Sequence, residues 1–208
     1  MRRNLVTALM LALVLGGAAY AEKFKSTWKA PGIAPMDYSG RKVVALVITD
    51  DQNLQVSGEE ALARELTARG VQAVPAYRLI PREELQNTDK AKGWFERAKV
   101  EGVVAMRVVS AEKEVSYTPE MWVTSSYSSL WGYYGYGWSS AVIAGSWQTD
   151  RIITIETLIF QLPDGKLVWA SVSEKTNPKG AGKLVKDLVK EVSNEMKKQG
   201  LITRGAVK

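Results

Sequence analysis

The sequence predicts a single mature α/β domain, built on a mixed β-sheet of about five strands with three helices. Three observations carry this expectation. Val43 to Ile48 is an unbroken apolar run, the pattern of a strand buried on both faces. Two segments of helical periodicity alternate with the early strands, as in crossover units that favour parallel pairing. Two later apolar runs flank Pro163-Asp164-Gly165-Lys166, a β-hairpin signal that adds antiparallel strands. The expected order is β-α-β-α-β, an aromatic insertion, then β-β-α.

Along the chain, residues 22–40 carry Pro31, Gly32 and Pro35 and read as an irregular N-terminal arm, with Phe24 and Trp28 available to tuck against the body. The single domain then spans 41–208. Thr49-Asp50-Asp51 ends the first strand. Ser57 and Glu60 have capping-box spacing at the start of a helix whose apolar face includes Leu62 and Leu66, and Gly70 stands where its C-terminal cap belongs. Val71 to Tyr77 is a short strand that Pro75 pushes towards a sheet edge or an early end. A second helix is expected from about Thr88 to Lys99, because Ala91, Trp94, Phe95 and Ala98 recur at i, i+3, i+4 and i+7. Val103 to Val109 is another apolar strand, with room to extend to Tyr117. Ile152–Leu162 and Leu167–Ser173 form the hairpin. The last helix spans about Ala181 to Gln199 and buries Val185, Leu188, Val189, Val192 and Met196, with Gly200 ending it.

Residues 118–148 are the insertion. Tyr117 to Trp147 hold nine of the chain's eighteen aromatic residues, among serines and glycines, and Glu120 is the one formal charge from Thr118 to Gln148. Loosely packed, this stretch is a flexible hairpin or a partly disordered loop. Three functional readings stand beside that one. Trp122, Tyr127, Trp131, Tyr133, Tyr134, Tyr136, Trp138 and Trp147 suit a contact surface for a protein partner or another copy of the chain, since Tyr and Trp dominate interface energetics. Met121–Leu130 and Trp138–Trp147 have the ten-residue length of membrane-spanning strands, with Trp131 to Gly137 as their turn. Tyr133, Tyr134, Tyr136 and Trp138 could instead stack on sugar rings, although no acid pair accompanies them for cleavage.

The N-terminus supplies an address. Arg2 and Arg3 precede the apolar run Leu5–Leu15, and Ala19-Tyr20-Ala21 matches a cleavage pattern, so residues 1–21 read as a signal peptide. Removing them lowers the net charge from +6 to +4, a modest excess. The expected location is the periplasm, either free or peripheral to the outer membrane. Nucleic acid is not an expected partner there. The chain has no Cys, which excludes a lipid-anchoring Cys and disulfides. With no His either, Ser-His and Cys-His nucleophiles and ordinary zinc sites disappear.

Other motifs give way to structural readings. Gly180-Ala181-Gly182-Lys183 resembles part of a phosphate loop, but Asn177 and Leu184 occupy positions the motif reserves for Gly and for Ser or Thr. Asp50 and Asp51 follow a strand without a third acid to complete a cation site. Ser171, Ser173 and Lys175 lie on a strand rather than at an S-x-x-K helix start, and alternation puts Val168, Ala170 and Val172 on the opposite side from the serines. The lysines from Lys175 to Lys198 interleave with Asp187, Glu191 and Glu195 as on a solvated helix face.

A resemblance to secreted bacterial envelope proteins and lipoproteins of a domain of unknown function rests on several of these motifs. They are Trp28 with Pro31, strand Lys42–Ile48, Glu60 with Leu66 and Gly70, Gly102-Val103-Val104, Gly135 to Trp138, and Asp164 to Trp169. The layout also looks like the TolB N-terminal domain and CsgG-type domains. The resemblance implies an envelope role, typically non-enzymatic, with no catalytic residue, cofactor or metal. The expected function is a non-enzymatic envelope accessory protein that binds through its insertion. An outer-membrane-associated or oligomerising hairpin protein of the CsgG type is the alternative, and a glycan-binding module or hydrolase the third class.

Overall fold

In the computed structural model, residues 24–34, 37–109, 118–141, 152–176 and 180–200 are described. The signal segment, the expected strand extension over 110–117, and residues 142–147 of the expected second insertion strand, Trp147 included, lie outside them. The elements are β1 (Phe24–Lys29), β2 (Lys42–Ile48), α1 (Gln52–Thr67), β3 (Gln72–Pro75), α2 (Ala76–Leu79), α3 (Thr88–Arg97), β4 (Gly102–Val109), α4 (Leu130–Ser139), β5 (Ile152–Gln161), β6 (Lys166–Thr176) and α5 (Ala181–Lys198). Six strands form one mixed sheet in the order β1-β6-β5-β4-β2-β3. β2 pairs parallel with β3 and β4, and the other pairs are antiparallel.

The apolar run of β2 divides between two cores, as period-2 alternation requires of a strand covered on both sides. Val44, Leu46 and Ile48 face one layer with Phe95, Leu130 and Tyr134, while Val43, Ala45 and Val47 face α1 and α5. Gly58 brings α1 close to the sheet, because a Cβ there would lie 3.2 Å from Val47 Cγ2. The expected edge position of the Pro75 strand is met: β3 is terminal in the sheet and stops at that proline.

Three local expectations are corrected. The arm is not irregular throughout, since Phe24–Lys29 pairs antiparallel with β6 and supplies a sixth strand. Phe24 and Trp28 do tuck in, one against each core. α1 starts about a turn and a half before Ser57. Asp51 caps it by accepting the N–H groups of Asn53 (2.9 Å) and Leu54 (3.1 Å), while Ser57 Oγ bonds back to Asn53 O within the helix. A carboxylate at the strand exit thus took the cap that the Ser57-to-Glu60 spacing had suggested. In β6, the register shift opposite Ile159/Phe160 makes Val168 an extra residue. Val168 therefore packs with Trp169 on the α1/α5 side, and Ala170 and Val172 face the other core.

Helix ends follow residue chemistry. Gly70 (φ 86°) allows the chain to leave α1 with Val71 N–H on Leu66 O at 3.2 Å and Gly70 N–H on Thr67 O at 2.9 Å. Asn87 caps α3 through Lys90 N–H at 3.0 Å. The basic stretch of α5 is laced as expected, with Lys183 on Asp187 at 2.7 Å and Lys175 of β6 on Glu191.

Trp169 ties the sheet's far edge to α5. Fully buried, it meets Phe24 edge-on at 6.3 Å and donates its Nε1–H to Gln199 Oε1 at 3.1 Å. Trp169→Ala should lower unfolding free energy by about 3–5 kcal/mol, read as a fall in the urea midpoint.

Candidate functional site

The aromatic segment folds as a short 3₁₀ turn, Pro119–Val123, followed by helix α4. A helix of sequence LWGYYGYGWS is costly on propensity, since each interior Gly loses about 1 kcal/mol against Ala. Close packing explains why it forms. A Cβ on Gly132 would collide with Ser125 O, and one on Gly137 would lie 2.7 Å from Ile48 Cδ1. Gly137 lets the helix backbone approach the sheet, Gly132 lets it close against the preceding turn, and the rings fill the space around them. Ser129 caps α4 by accepting Gly132 N–H at 3.2 Å. Leu130 N–H donates to Gly165 O at 2.7 Å and Leu167 N–H to Ser128 O at 3.1 Å, which straps the segment to the β5–β6 turn.

Beneath α4 lies a buried ion pair. Arg107 of β4 and Glu156 of β5 are direct cross-strand partners, 4% and 1% exposed. Arg107 donates to Glu156 Oε2 from Nε at 2.9 Å and from Nη2 at 2.8 Å. The aromatic segment supplies the remaining partners. Tyr127 OH donates to Glu156 Oε1 at 3.2 Å, Tyr133 OH donates to Oε2 at 3.1 Å, and Arg107 Nη1 donates to Ser140 Oγ at 2.8 Å. Tyr136 stacks over the guanidinium at 4.8 Å.

The electrostatics reinforce this arrangement. Burial raises the phenol pKa of Tyr127 and of Tyr133, and the Glu156 carboxylate raises them further, so both remain proton donors. Burial alone would lower the Arg107 pKa, but Tyr133, Glu156 and Tyr127 more than offset it and hold the guanidinium charged.

The expected contact residues are distributed unevenly. Trp122, Tyr127, Tyr133, Tyr134 and Trp138 are buried in the core, and Trp131 is half-buried against Phe95 at 5.7 Å between ring centroids. Tyr136 is 38% exposed, and Trp147 lies outside the described residues. A loose hairpin or disordered loop is thus corrected to a packed helix over 130–139. The expected membrane hairpin is corrected as well. Trp131 to Gly137 is helix rather than turn, and residues 121–130 form 3₁₀ turn, irregular backbone with one isolated bridge at Ser129, and the start of α4 rather than a ten-residue strand. As a sugar platform the segment loses Tyr133, Tyr134 and Trp138 to the interior, because the second sheet face needed a cover.

Sequence reading passed over Arg107 and Glu156. Their signal is present: each is a lone charge inside an apolar strand, GVVAMRVV and IITIETLIF, and the signs are opposite. Asp50 and Asp51 form no site, since Asp51 caps α1, and Lys183 pairs with Asp187 rather than lining a phosphate loop. Among the described residues no group of three or more His, Cys, Asp and Glu is placed to hold a metal ion. Two hollows, about 340 and 240 Å³, share Ile33 and Gln161 at the opposite end of the β4–β5 ladder from Arg107.

No family model matches the chain, and no curated protein matches it. Solved structures similar to it include a single-substitution PelC dodecamer from Paraburkholderia phytofirmans, 13% identical, with a TM-score of 0.44 over 81% of this chain and 96% of that one. Lipoprotein GNA1162 from Neisseria meningitidis is 14% identical, with a TM-score of 0.38 over 76% and 96%. Protein XCC0632 from Xanthomonas campestris, of family model DUF330, is 10% identical, with a TM-score of 0.36 over 83% and 94%. At TM-scores below 0.5 these likenesses carry no argument about function or assembly.

The network makes two predictions. Arg107→Met and Glu156→Leu should each cost about 3–5 kcal/mol in urea unfolding, because each strands a buried charge, and the double variant should cost clearly less than their sum. Gly132→Ala should destabilise by about 1–3 kcal/mol, seen as a lower Tm, since the Ser125 carbonyl must move.

Proposed function

We propose that this protein is a non-enzymatic accessory protein of the bacterial envelope, acting by contact with a protein partner or a second copy of itself through the outer surface of residues 118–141. One observation carries the reading. Among the described residues the exposed large hydrophobic side chains are Val123, at 61%, and Tyr136, at 38%, and both belong to this segment. An exposed apolar side chain on an otherwise near-chargeless surface is suited to contact, since little charge has to be desolvated.

The chemistry of the site favours contact over catalysis. Its charged groups, Arg107 and Glu156, are committed to each other below the surface, where they hold the segment in place. The export signal read from residues 1–21 supports the envelope address. Among the described residues no helix is long and apolar enough to cross a membrane.

The test is photo-crosslinking in cells from a benzoylphenylalanine placed at Val123, with the same probe at exposed Lys186 of α5 as the control. Discrete adducts at Val123 and none at Lys186 are expected, and their masses separate a second copy from a different protein. No adduct at Val123 overturns the reading. Val123→Asp should change the unfolding free energy by no more than the roughly 0.5 kcal/mol typical of surface changes, so lost contact is separable from lost folding.

A further inference from the structure

The chain holds one Asp-Gly step, Asp164-Gly165, and no Asn-Gly. It sits in the turn that joins β5 to β6, where Gly165 takes φ 64°, a conformation that a side chain would strain. The Asp164 side chain is 64% exposed, and its pairing with Lys166 Nζ at 3.3 Å, itself 75% exposed, restrains it little. Gly165 N–H makes no hydrogen bond among the described residues. An amide nitrogen with no acceptor and no Cβ to crowd it thus directly follows a solvated carboxyl.

The same turn fastens the aromatic segment. Leu130 N–H, at the first residue of α4, donates to Gly165 O at 2.7 Å, Leu167 N–H donates to Ser128 O at 3.1 Å, and Ser129 forms a bridge with Lys166. Gly165 also packs on the helix start: a Cβ there would lie 3.5 Å from Leu130 Cβ and 3.9 Å from Trp131 Cδ1. A lengthened backbone at this step cannot keep Gly165 O where Leu130 N–H needs it.

We propose that Asp164-Gly165 is a site of spontaneous isoaspartate formation, and that the modified turn unfastens the N-terminus of α4. Gly165 N attacks Asp164 Cγ, a C–N bond forms, and one water leaves, made from the carboxyl OH and the amide proton. A second water then opens the five-membered imide. Addition at Cγ restores Asp164. Addition at the main-chain carbonyl carbon breaks the original peptide C–N bond, so the chain runs through Cβ and Cγ and the main-chain carboxylate is left free. Start and product have the same atoms and charge, and the steps need water alone. The product inserts one carbon, about 1.5 Å of chain, between the two residues. A 2.7 Å hydrogen bond to Leu130 does not survive that change unmoved.

The experiment ages the full chain for weeks in neutral buffer. Peptide mapping with electron-transfer fragmentation, which distinguishes the isomers, should find isoaspartate at 164 at least roughly tenfold above its level at exposed Asp37, Asp50 and Asp89, whose following residues carry side chains that crowd the attacking nitrogen. In the isomerised fraction, hydrogen exchange at the Leu130 amide should be about tenfold faster, the worth of one backbone hydrogen bond, with buried Leu46 of β2 unchanged. Asp164→Glu keeps the charge but needs a six-membered ring, so it should form no isomer and hold its Leu130 exchange constant on ageing. Isoaspartate at 164 no higher than at the other three sites, or unchanged Leu130 exchange in the isomerised wild type, would overturn the proposal. So would an equal rise of Leu130 exchange in aged Asp164→Glu. Should that variant fail to fold, Leu130 exchange compared between isomerised and unmodified wild-type chains of one aged sample decides the same point.

Discussion

The buried pair of Arg107 and Glu156 is the constraint around which one face of this protein is built. Two opposite charges on adjacent strands, almost wholly removed from water, are stable only if their other hydrogen-bonding positions are filled. The sheet cannot fill them. Tyr127, Tyr133 and Ser140 do so from a segment distant in sequence, and Tyr136 covers the guanidinium face. The pair therefore specifies where the segment must lie. Its contribution is better described as register and seating than as net stability, because desolvation of the charges offsets much of their attraction.

That seating accounts for the segment's odd composition. Rings supply bulk and phenolic donors, and glycines allow a helix to come close enough to deliver them. Tyr127 touches Trp122, Tyr133 and Tyr136 at centroid distances of 5.3–5.6 Å, and Tyr133 continues the chain of contacts to Phe160 of β5. Such pairs add about 0.5–1.5 kcal/mol each beyond area burial. Charge is absent from the buried part of the segment for the same reason: a further ion there would have no partner. Among the described residues, the large apolar side chains left outside are Val123 and Tyr136, too few to be a second core.

Legibility in the sequence followed locality. β2, the end of β3 at Pro75, α3, the hairpin and α5 were readable because each depends on a periodicity or a turn residue within a few positions. The start of α1 was misplaced because Asp51 and Ser57 both carry capping chemistry, and only backbone geometry chose between them. β1 was missed because an edge strand with two aromatic residues among four polar ones, FKSTWK, carries no period-2 pattern and gains its identity from β6. The Val168 bulge likewise exists only in the pairing with β5. Arg107 and Glu156 were visible as misplaced charges, but their union depends on register across 49 residues of chain.

By itself, the sequence determined a domain of mixed α/β type, without thiol or imidazole chemistry, carrying an export pattern and one concentrated block of aromatic residues. These are properties of composition and short-range pattern, which survive without knowledge of neighbours. The tertiary structure decided where the aromatic block lies. An uncovered sheet face and a buried ion pair drew in most of its rings, overriding three glycines' dislike of helix and removing the rings from solvent. It also decided the surroundings of Glu59, an ordinary acid on a helix until the end of β3 left the N–H groups of Val47 and Tyr77 to donate to its carboxyl. Both outcomes depend on long-range burial, and burial is a property of the assembled layers rather than of any stretch of chain.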